Sequence, residues 1–466
     1  MSPEVVSLLV LLVILVIATV LPINMGALGF GAAFLLGTLV LGMSVDEILA
    51  GFPAGLFLTL AGITYLFAIA QINGTVDLLI RGAIRLVGGR IAAIPWIMFA
   101  VTALLVGIGA LFAVAIVAPI ALRFAFRYKI NALMMGMMVV HGALGGAFTP
   151  ISVYGSFVNG LVSDSGLESS PIMLTVAPLA FNAAIGALIF FLLGGRQLLA
   201  ARTHHHDEAV EREAVEREAV EASAVTGGGP GSAGTAPARG HGVQAAASPE
   251  DPAPEARTPA GETDAPQRIR VEQVATIVGL LVFAVLTVVW ALDVGFTSIL
   301  IGVLLALIHP KATKGAVDKI AWSTVLLIAG VLTYVGVLEA AGTIDYISNA
   351  IAGLGAPLLA ALLICYLGGI ASAFASSVAI LGVMIPLAIP FLQQGGIGAV
   401  GFIVALAIAT TVVDVSPFST NGALVLANAQ DIDRDRFYRQ MLAYAGIVVV
   451  LGPLLAWAVF VLPGWL

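Results

Sequence analysis

The stretch that decides the fold is Thr410–Asn428, TTVVDVSPFSTNGALVLAN, in which a polar cluster interrupts apolar sequence on both sides. With its apolar flanks, the segment is long enough to cross a bilayer, which takes about 20 residues of helix. Within the cluster, Pro417 removes an amide donor, and Gly422 loosens the turn that follows. Unpaired backbone at membrane depth is tolerated only where protein or a water-filled cavity satisfies it. The stretch therefore predicts a broken transmembrane helix that lines a site.

A fainter copy of this pattern lies earlier in the chain, at residues 149–155, TPISVYG. Three pairs of identical residues are each separated by 267 positions: Pro150 and Pro417, Ser152 and Ser419, and Gly155 and Gly422. Two matching interruptions in corresponding halves of a membrane protein indicate the substrate site of a transporter.

Composition indicates an all-α, polytopic membrane protein. The chain has 466 residues, of which 60% are hydrophobic and only 10% charged, whereas soluble proteins average about 25% charged residues. The single cysteine, Cys365, excludes an internal disulfide and any metal site built from several cysteines. The start, MSPEVV, lacks the basic region of a signal peptide, so we interpret residues 5–22 as the first membrane helix. No basic, aromatic-interleaved surface indicates a nucleic-acid partner.

The middle of the chain has a different character. Residues 196–267 contain His204–His206, the repeat EAVEREAVEREAVEAS and a run rich in Gly, Pro, Ala and Ser. This composition cannot form a core, so we expect a disordered linker. We interpret the three histidines as a solvated polar tract, with metal binding as the alternative.

The parts on either side of the linker are similar to each other. LAGITYLFAIAQINGTVD (60–77) aligns with IAGVLTYVGVLEAAGTID (328–345), and Gly and Asp residues coincide in the same order. Chance similarity between apolar segments is the alternative, but the ordered matches make it the weaker one. The sequence therefore predicts two repeats, at residues 1–195 and 268–466.

The distribution of lysine and arginine predicts how the two repeats are oriented. Basic residues remain cytoplasmic in short loops. If the N-terminus is outside and each repeat crosses the membrane five times, all 20 basic residues lie on one side. The repeats are then inverted, with both termini extracytoplasmic and the linker cytoplasmic. Inverted repeats are typical of secondary transporters.

Two apolar segments, residues 91–128 and 356–393, return to the side on which they began. Each is either a re-entrant hairpin or two full crossings, and the arms are long enough for both. The turns at 107–109 and 372–377 carry no charged residue, which favours tips buried in the membrane. The predicted broken helices follow at 132–162 and 399–428.

Two breaks and two hairpin tips supply four helix ends. Because the basic residues are predicted to be cytoplasmic, an anion at mid-membrane would be held by helix N-termini, amides and hydroxyls, with a co-bound Na⁺ or proton. Hydroxyls in membrane helices also bond simply to backbone or to neighbouring helices. The candidate substrate-binding residues are Thr149, Pro150, Ser152, Ser376, Ser377, Ser416, Pro417, Ser419, Thr420 and Asn421.

Two ionisable residues are candidates for ion coupling. Asp414 is an acid within a membrane span, so it is interpreted as a proton carrier or Na⁺ ligand, with a helix cap as the alternative. His141 either relays a proton or is a neutral core histidine. Tyr154 and Tyr334 are interpreted as packing or interface aromatics. The sequence has no His-Glu-x-x-His motif and no second cysteine, so we expect neither an enzyme nor a resident cofactor.

The N-terminal sequence resembles a known family. LPINMGALGFGAAFLLG, GFPAGLFLTLAGITYLFAIAQINGT and IPWIMF, within residues 1–150, are similar to the N-terminal domain of MatC-type malonate/dicarboxylate carriers. The remainder resembles the ion-transporter superfamily that includes divalent anion:sodium symporters. This resemblance implies inverted repeats with re-entrant hairpins at 91–128 and 356–393, a homodimeric scaffold and elevator-type alternating access.

In those symporters a Ser-Asn-Thr triplet lies at each hairpin tip, shortly before a proline. The corresponding residues here are Ser376-Ser377-Val378 and Gly109-Ala110-Leu111, so the carboxylate-binding role carries over only to Ser376. The resemblance implies a bacterial inner-membrane importer of a small dicarboxylate, malonate-like or C4, driven by Na⁺ or H⁺. The alternatives are an ion antiporter or an inorganic oxyanion transporter on the same fold.

Overall fold

The computed structural model describes residues 2–21, 23–85, 90–200, 269–352, 356–373, 376–429 and 433–464. Over these ranges the regular structure is entirely helical, with twenty α-helices and one short 3-10 helix. Residues 1–202 and 271–466 form one compact unit. The predicted linker lies outside the described residues from position 201 onward, and so does the histidine triplet.

The two halves contain similar series of helices. The first half consists of α1 (Pro3–Val20), α2 (Met25–Leu39), α3 (Val45–Ala50), α4 (Ala54–Ile72), α5 (Thr75–Arg85), α6 (Ala93–Gly107), α7 (Ala113–Arg127), α8 (Ala132–Gly146), α9 (Val153–Asp164), α10 (Pro171–Leu192) and α11 (Gly195–Ala200). The second half consists of α12 (Val271–Val288), α13 (Val294–Ile308), the 3-10 helix Val317–Lys319, α14 (Trp322–Ala340), α15 (Thr343–Ala352), α16 (Pro357–Ser372), α17 (Ser377–Gln393), α18 (Ala399–Val412), α19 (Thr420–Ala427) and α20 (Arg434–Phe460).

Six of the described helices, α1, α4, α10, α12, α14 and α20, are long and apolar enough to cross a membrane, and seven shorter helices are apolar. Many large apolar side chains on α1, α12 and α20 are exposed, as expected for helices that face lipid. The chain is therefore a multi-pass membrane protein, and the predicted all-α polytopic class is confirmed.

Glycines allow the two halves to pack closely. Helix α2 packs on α14, and α4 packs on α13. A Cβ atom placed on Gly330 of α14 would lie 1.9 Å from the carbonyl oxygen of Gly26, and one placed on Gly62 of α4 would lie 2.8 Å from that of Gly295. Gly62 and Gly330 are the residues that align between the repeats. Small residues at such crossings let helix backbones come into contact in a membrane.

The segments that carry the site cross over between the halves. Helices α6 and α7 are joined by a short turn at which Gly109 has a φ of +108°, while residues 374 and 375 between α16 and α17 lie outside the described ranges. Helix α9 packs on α17, and α19 packs on α7. Each half-helix after a break therefore contacts the second arm of the helix pair in the other half.

The turn between α7 and α8 ends α7 in a Schellman motif. The amide of Ile130 donates to the carbonyl of Ala125 at 2.8 Å, and the amide of Lys129 donates to that of Phe126 at 3.3 Å. Lys129 has a φ of +53° at the position that glycine usually takes. A side chain in this conformation costs on the order of 1 kcal/mol, so a lysine is present here despite the backbone preference.

Candidate functional site

In the first break, between α8 and α9, side-chain hydroxyl groups form hydrogen bonds with backbone groups that the interrupted helix leaves unpaired. Ser152 caps α9, since its Oγ accepts from the amide of Gly155 at 3.0 Å. The same hydroxyl donates to the carbonyls of Ala147 and Thr149. The Thr149 hydroxyl donates to the carbonyl of Gly107, at the end of α6. The break is thereby tied to the first helix pair.

The second break, between α18 and α19, repeats these contacts. Ser419 caps α19 by accepting from the amide of Gly422 at 3.4 Å, and its hydroxyl donates to the carbonyl of Ser416 at 2.7 Å. The Ser416 hydroxyl donates to the carbonyl of Ala373, just after α16, at 3.2 Å. The two breaks therefore share their contacts as well as their sequence pattern.

Asp414 distinguishes the second break from the first. Its carboxylate is only 4% exposed and accepts from the backbone amide of Asn421 at 3.4 Å and from the Asn421 side chain at 2.8 Å. The Ser419 hydroxyl and the amide of Thr420 also lie close enough to favour its charged form. A negative group at this position is stabilised by the positive end of α19. The aligned residue in the first break is Ala147.

Tyr154, in the first turn of α9, joins the two halves. Its phenol shares a hydrogen bond with the Ser377 hydroxyl and lies near enough to Asp414 to experience its charge. Ser377 in turn accepts from the Ser372 hydroxyl at 2.8 Å. The sequence interpretation placed Tyr154 among packing aromatics, and its ring does pack edge-on against Phe148, with centroids 5.7 Å apart, but the bond to Ser377 was not predicted. The signal that could have found it is its alignment with Asn421, the ligand of Asp414.

Exposure divides the predicted binding residues into two groups. Ser152, Ser377, Ser416, Pro417 and Ser419 are buried, and the hydroxyls of the four serines bond to other groups of the protein. The accessible or half-buried group consists of Thr149, Pro150, Ser376, Thr420 and Asn421, and Tyr154, which was not among the predicted binding residues, is half-buried as well. The second group has the polar atoms that a ligand between the halves could reach.

His141 lies in a different polar cluster. Its Nδ1 is 2.7 Å from Asn182 Oδ1 on α10, and its Nε2 is 2.5 Å from the Tyr444 hydroxyl on α20. Because the Asn182 oxygen can only accept, Nδ1 carries the proton and Nε2 accepts from Tyr444. Tyr334, by contrast, is buried and donates to the carbonyl of Ser7 at 2.7 Å, which is the predicted packing role.

The described basic side chains differ in exposure from the residues around the breaks. Every lysine and arginine whose side chain the structure describes is exposed, whereas the residues around the breaks are largely buried. In the described part of the chain, no three His, Cys, Asp or Glu residues group as metal ligands would. The described lysine and arginine side chains are therefore not part of the buried surroundings of the breaks.

Comparison with known proteins supports a transporter. Residues 1–147 match the family described as the dicarboxylate carrier protein MatC N-terminus. The crystal structure of the YdaH transporter of Alcanivorax borkumensis, described as having an unusual topology, is similar over 98% of this chain and 98% of its own, with 13% sequence identity and a TM-score of 0.54. No curated protein matches the chain. Residues 1–147 are thus similar to the N-terminal part of a dicarboxylate carrier family, and the chain shares the fold of a solved transporter.

Proposed function

We propose that this protein is a secondary active transporter that imports a small dicarboxylate, malonate-like or C4, together with Na⁺ or H⁺ across the bacterial inner membrane. The observation that carries the proposal is the position of Tyr154, whose phenol hydrogen-bonds to Ser377 and lies within range of the charge of Asp414, so that the first break lies near the second break and the second helix pair. The match of the N-terminal domain to dicarboxylate carriers supports the substrate class.

The duplicated geometry supports a location for one substrate carboxylate. In the second half, the amides of Thr420 and Asn421 hold the carboxylate of Asp414. The aligned amides in the first half belong to Val153 and Tyr154, and Ala147 takes the place of the acid. A carboxylate of the substrate would bind at the N-terminus of α9 as the carboxylate of Asp414 binds at the N-terminus of α19, because a helix N-terminus stabilises negative charge.

The accessible polar groups provide the remaining contacts. Ser376, Thr420 and Asn421 carry hydroxyl or amide donors that would bind the second carboxylate, whereas the Thr149 hydroxyl already donates to the carbonyl of Gly107. The geometry of the breaks would be set by Pro150 and by the buried residues Ser152, Ser416, Pro417 and Ser419. Ser377 would position Tyr154.

Charge balance supports coupling to a cation. A dianion beside Asp414 brings three negative charges together in a region of low dielectric, where uncompensated charge is expensive. Na⁺ or a proton bound at Asp414 would remove part of that cost, which is why we assign ion coupling to this residue. His141 would take a proton only by giving up the hydrogen bond from Tyr444 or by rearranging, so it is the second candidate.

The proposed mechanism is elevator-type alternating access in a homodimer. Residues 91–162 and 356–428 would move as the transport units. Residues 1–72, 172–194, 272–340 and 440–462 would form the scaffold.

Reconstitution of the full chain in liposomes tests the proposal. Uptake of labelled malonate, succinate and citrate is measured with a Na⁺ gradient alone and with a pH gradient alone. We expect uptake of at least one dicarboxylate that is driven by one of the two gradients. Gradient-driven flux of an inorganic oxyanion or of the cation alone, without stimulation by any dicarboxylate, would instead establish one of the alternatives.

A further inference from the structure

A cavity of about 730 Å³ lies beside the turn between α7 and α8 and shares no lining residue with the two breaks. The end of α7, the start of α8 and the turn between α10 and α11 form its walls. Its polar lining consists of Arg127, Lys129, Asn131 and Gln197. The volume lies in the range of about 300–1,000 Å³ that is usual for sites of small ligands.

The charge of the lining selects an anion. Arg127 and Lys129 are both exposed, and no acidic residue is among the residues that line the cavity. Asn131 and Gln197 add carboxamide donors, which suit phosphate oxygens. The Asn131 oxygen already accepts from the amide of Met134 at 3.1 Å, so its NH₂ group is the part that remains to donate.

The backbone at Lys129 supports a binding role for its amine. Lys129 holds a left-handed conformation, with a φ of +53°, at a helix end where glycine is the usual residue. Glycine would fit this turn without strain, so the structure of the turn does not explain the lysine. An amine directed by the turn to the cavity rim does.

The surroundings of the cavity are apolar and exposed. Phe126, in the lining, is 62% exposed, and Leu192 and Leu199, which flank the α10–α11 side, are 72% and 62% exposed. Exposed apolar side chains next to two cations match the boundary between acyl chains and headgroups. We propose that this cavity binds the phosphate of an anionic phospholipid, in the leaflet on the basic side of the protein.

Lipid titration of the purified full chain in detergent, followed by native mass spectrometry, tests this site. Phosphatidylglycerol is compared with phosphatidylcholine for the wild type, Arg127→Gln, Lys129→Gly and the double variant. We expect affinity for phosphatidylglycerol to fall roughly fivefold for each cation removed, while affinity for phosphatidylcholine is unchanged. Lys129→Gly should keep or raise the melting temperature, because glycine suits the left-handed backbone. A loss of lipid binding in that variant is then not caused by unfolding.

Arg123→Gln is the matched control. Arg123 is an exposed arginine on the same helix, outside the cavity lining, and its Nε donates to the carbonyl of Pro119 at 3.2 Å. The proposal is overturned if this control loses as much affinity as the double variant, or if the double variant binds phosphatidylglycerol like the wild type. It is also overturned if millimolar inorganic phosphate displaces phosphatidylglycerol, because the cavity would then be a site for a soluble anion.

Discussion

Placing an acid in the first break tests whether a substrate carboxylate binds there. In Ala147→Asp, the new carboxylate stands at the position that aligns with Asp414, six residues before Val153 and seven before Tyr154. In the second half, a carboxylate at this spacing accepts from the amides of Thr420 and Asn421. The carboxylate of the variant would therefore bind at the N-terminus of α9 and block this site for the substrate.

The magnitude follows from the bonds that the substrate would have to displace. Hydrogen bonds to a charged group contribute about 1.5–3 kcal/mol each. If the substrate must displace one such bond, its apparent affinity falls by a factor of roughly 10 to 150, because each 1.4 kcal/mol is about tenfold. We therefore expect the KM for dicarboxylate uptake to rise by at least tenfold in Ala147→Asp.

The assay is dicarboxylate uptake into proteoliposomes, with Ala147→Asn as the matched control. Asparagine has nearly the same size as aspartate but no charge, so it separates the electrostatic effect from crowding at this buried position, which is 3% exposed. Melting temperatures in detergent confirm that both variants fold. A folded Ala147→Asp protein with the KM of the wild type would refute the assignment of the first half-helix, and so would an equal loss in both variants.

Three further predictions concern neighbouring groups. Asp414→Asn keeps the size of the side chain but removes its charge, so uptake should lose its dependence on the Na⁺ or pH gradient; an unchanged cation response would exclude Asp414 from coupling. Tyr154→Phe removes the hydrogen bond with Ser377, worth about 0.5–1.5 kcal/mol, and should weaken uptake about twofold to tenfold, whereas wild-type kinetics would make Tyr154 a packing residue only. Gly422→Ala would place a Cβ atom 1.9 Å from the carbonyl oxygen of Ser416, and overpacking against backbone should lower the free energy of unfolding by about 1–3 kcal/mol. The control is Gly446→Ala, which has no atom within 4 Å of its added Cβ and should be at least as stable as the wild type. Equal melting temperatures for the two variants would contradict this account of the break.

The sequence predicts the helices whose causes are local. The apolar run at 54–72 coincides with α4, and the proline breaks separate α8 from α9 and α18 from α19. Proline and the length of apolar runs act through the backbone and the bilayer, so their effects can be read without tertiary structure. The start of α20 at Arg434, before the apolar run at 440–462, could not be predicted from hydropathy, because its first turns carry charged residues.

The contacts of the site depend on tertiary packing, which cannot be predicted from local sequence patterns. The prolines could be assigned because they act on the backbone of their own helix, whereas Ser152 and Ser419 were predicted to bind substrate and not to cap the helices. Ser377, the partner of Tyr154, lies more than 200 residues further along the chain. Tyr444, one partner of His141, lies more than 300 residues further along. They become neighbours only because α9 packs on α17 and α8 lies beside α20, and no local pattern encodes either packing.

The two breaks show how one duplicated structure can provide two different sites. Both halves use a serine cap, a hydroxyl tied to the adjacent helix pair, and a glycine in contact with backbone. Among the aligned positions at which they differ, the one that changes the charge is the position where Asp414 corresponds to Ala147. The N-terminus of α19 already holds the carboxylate of Asp414, so a ligand bound beside it should be a cation. The N-terminus of α9 has no acid beside it, so it favours an anion. We therefore expect the acid at this one position to account for most of the difference between the proposed ion site and the proposed carboxylate site, because the caps and glycines of the two breaks are shared.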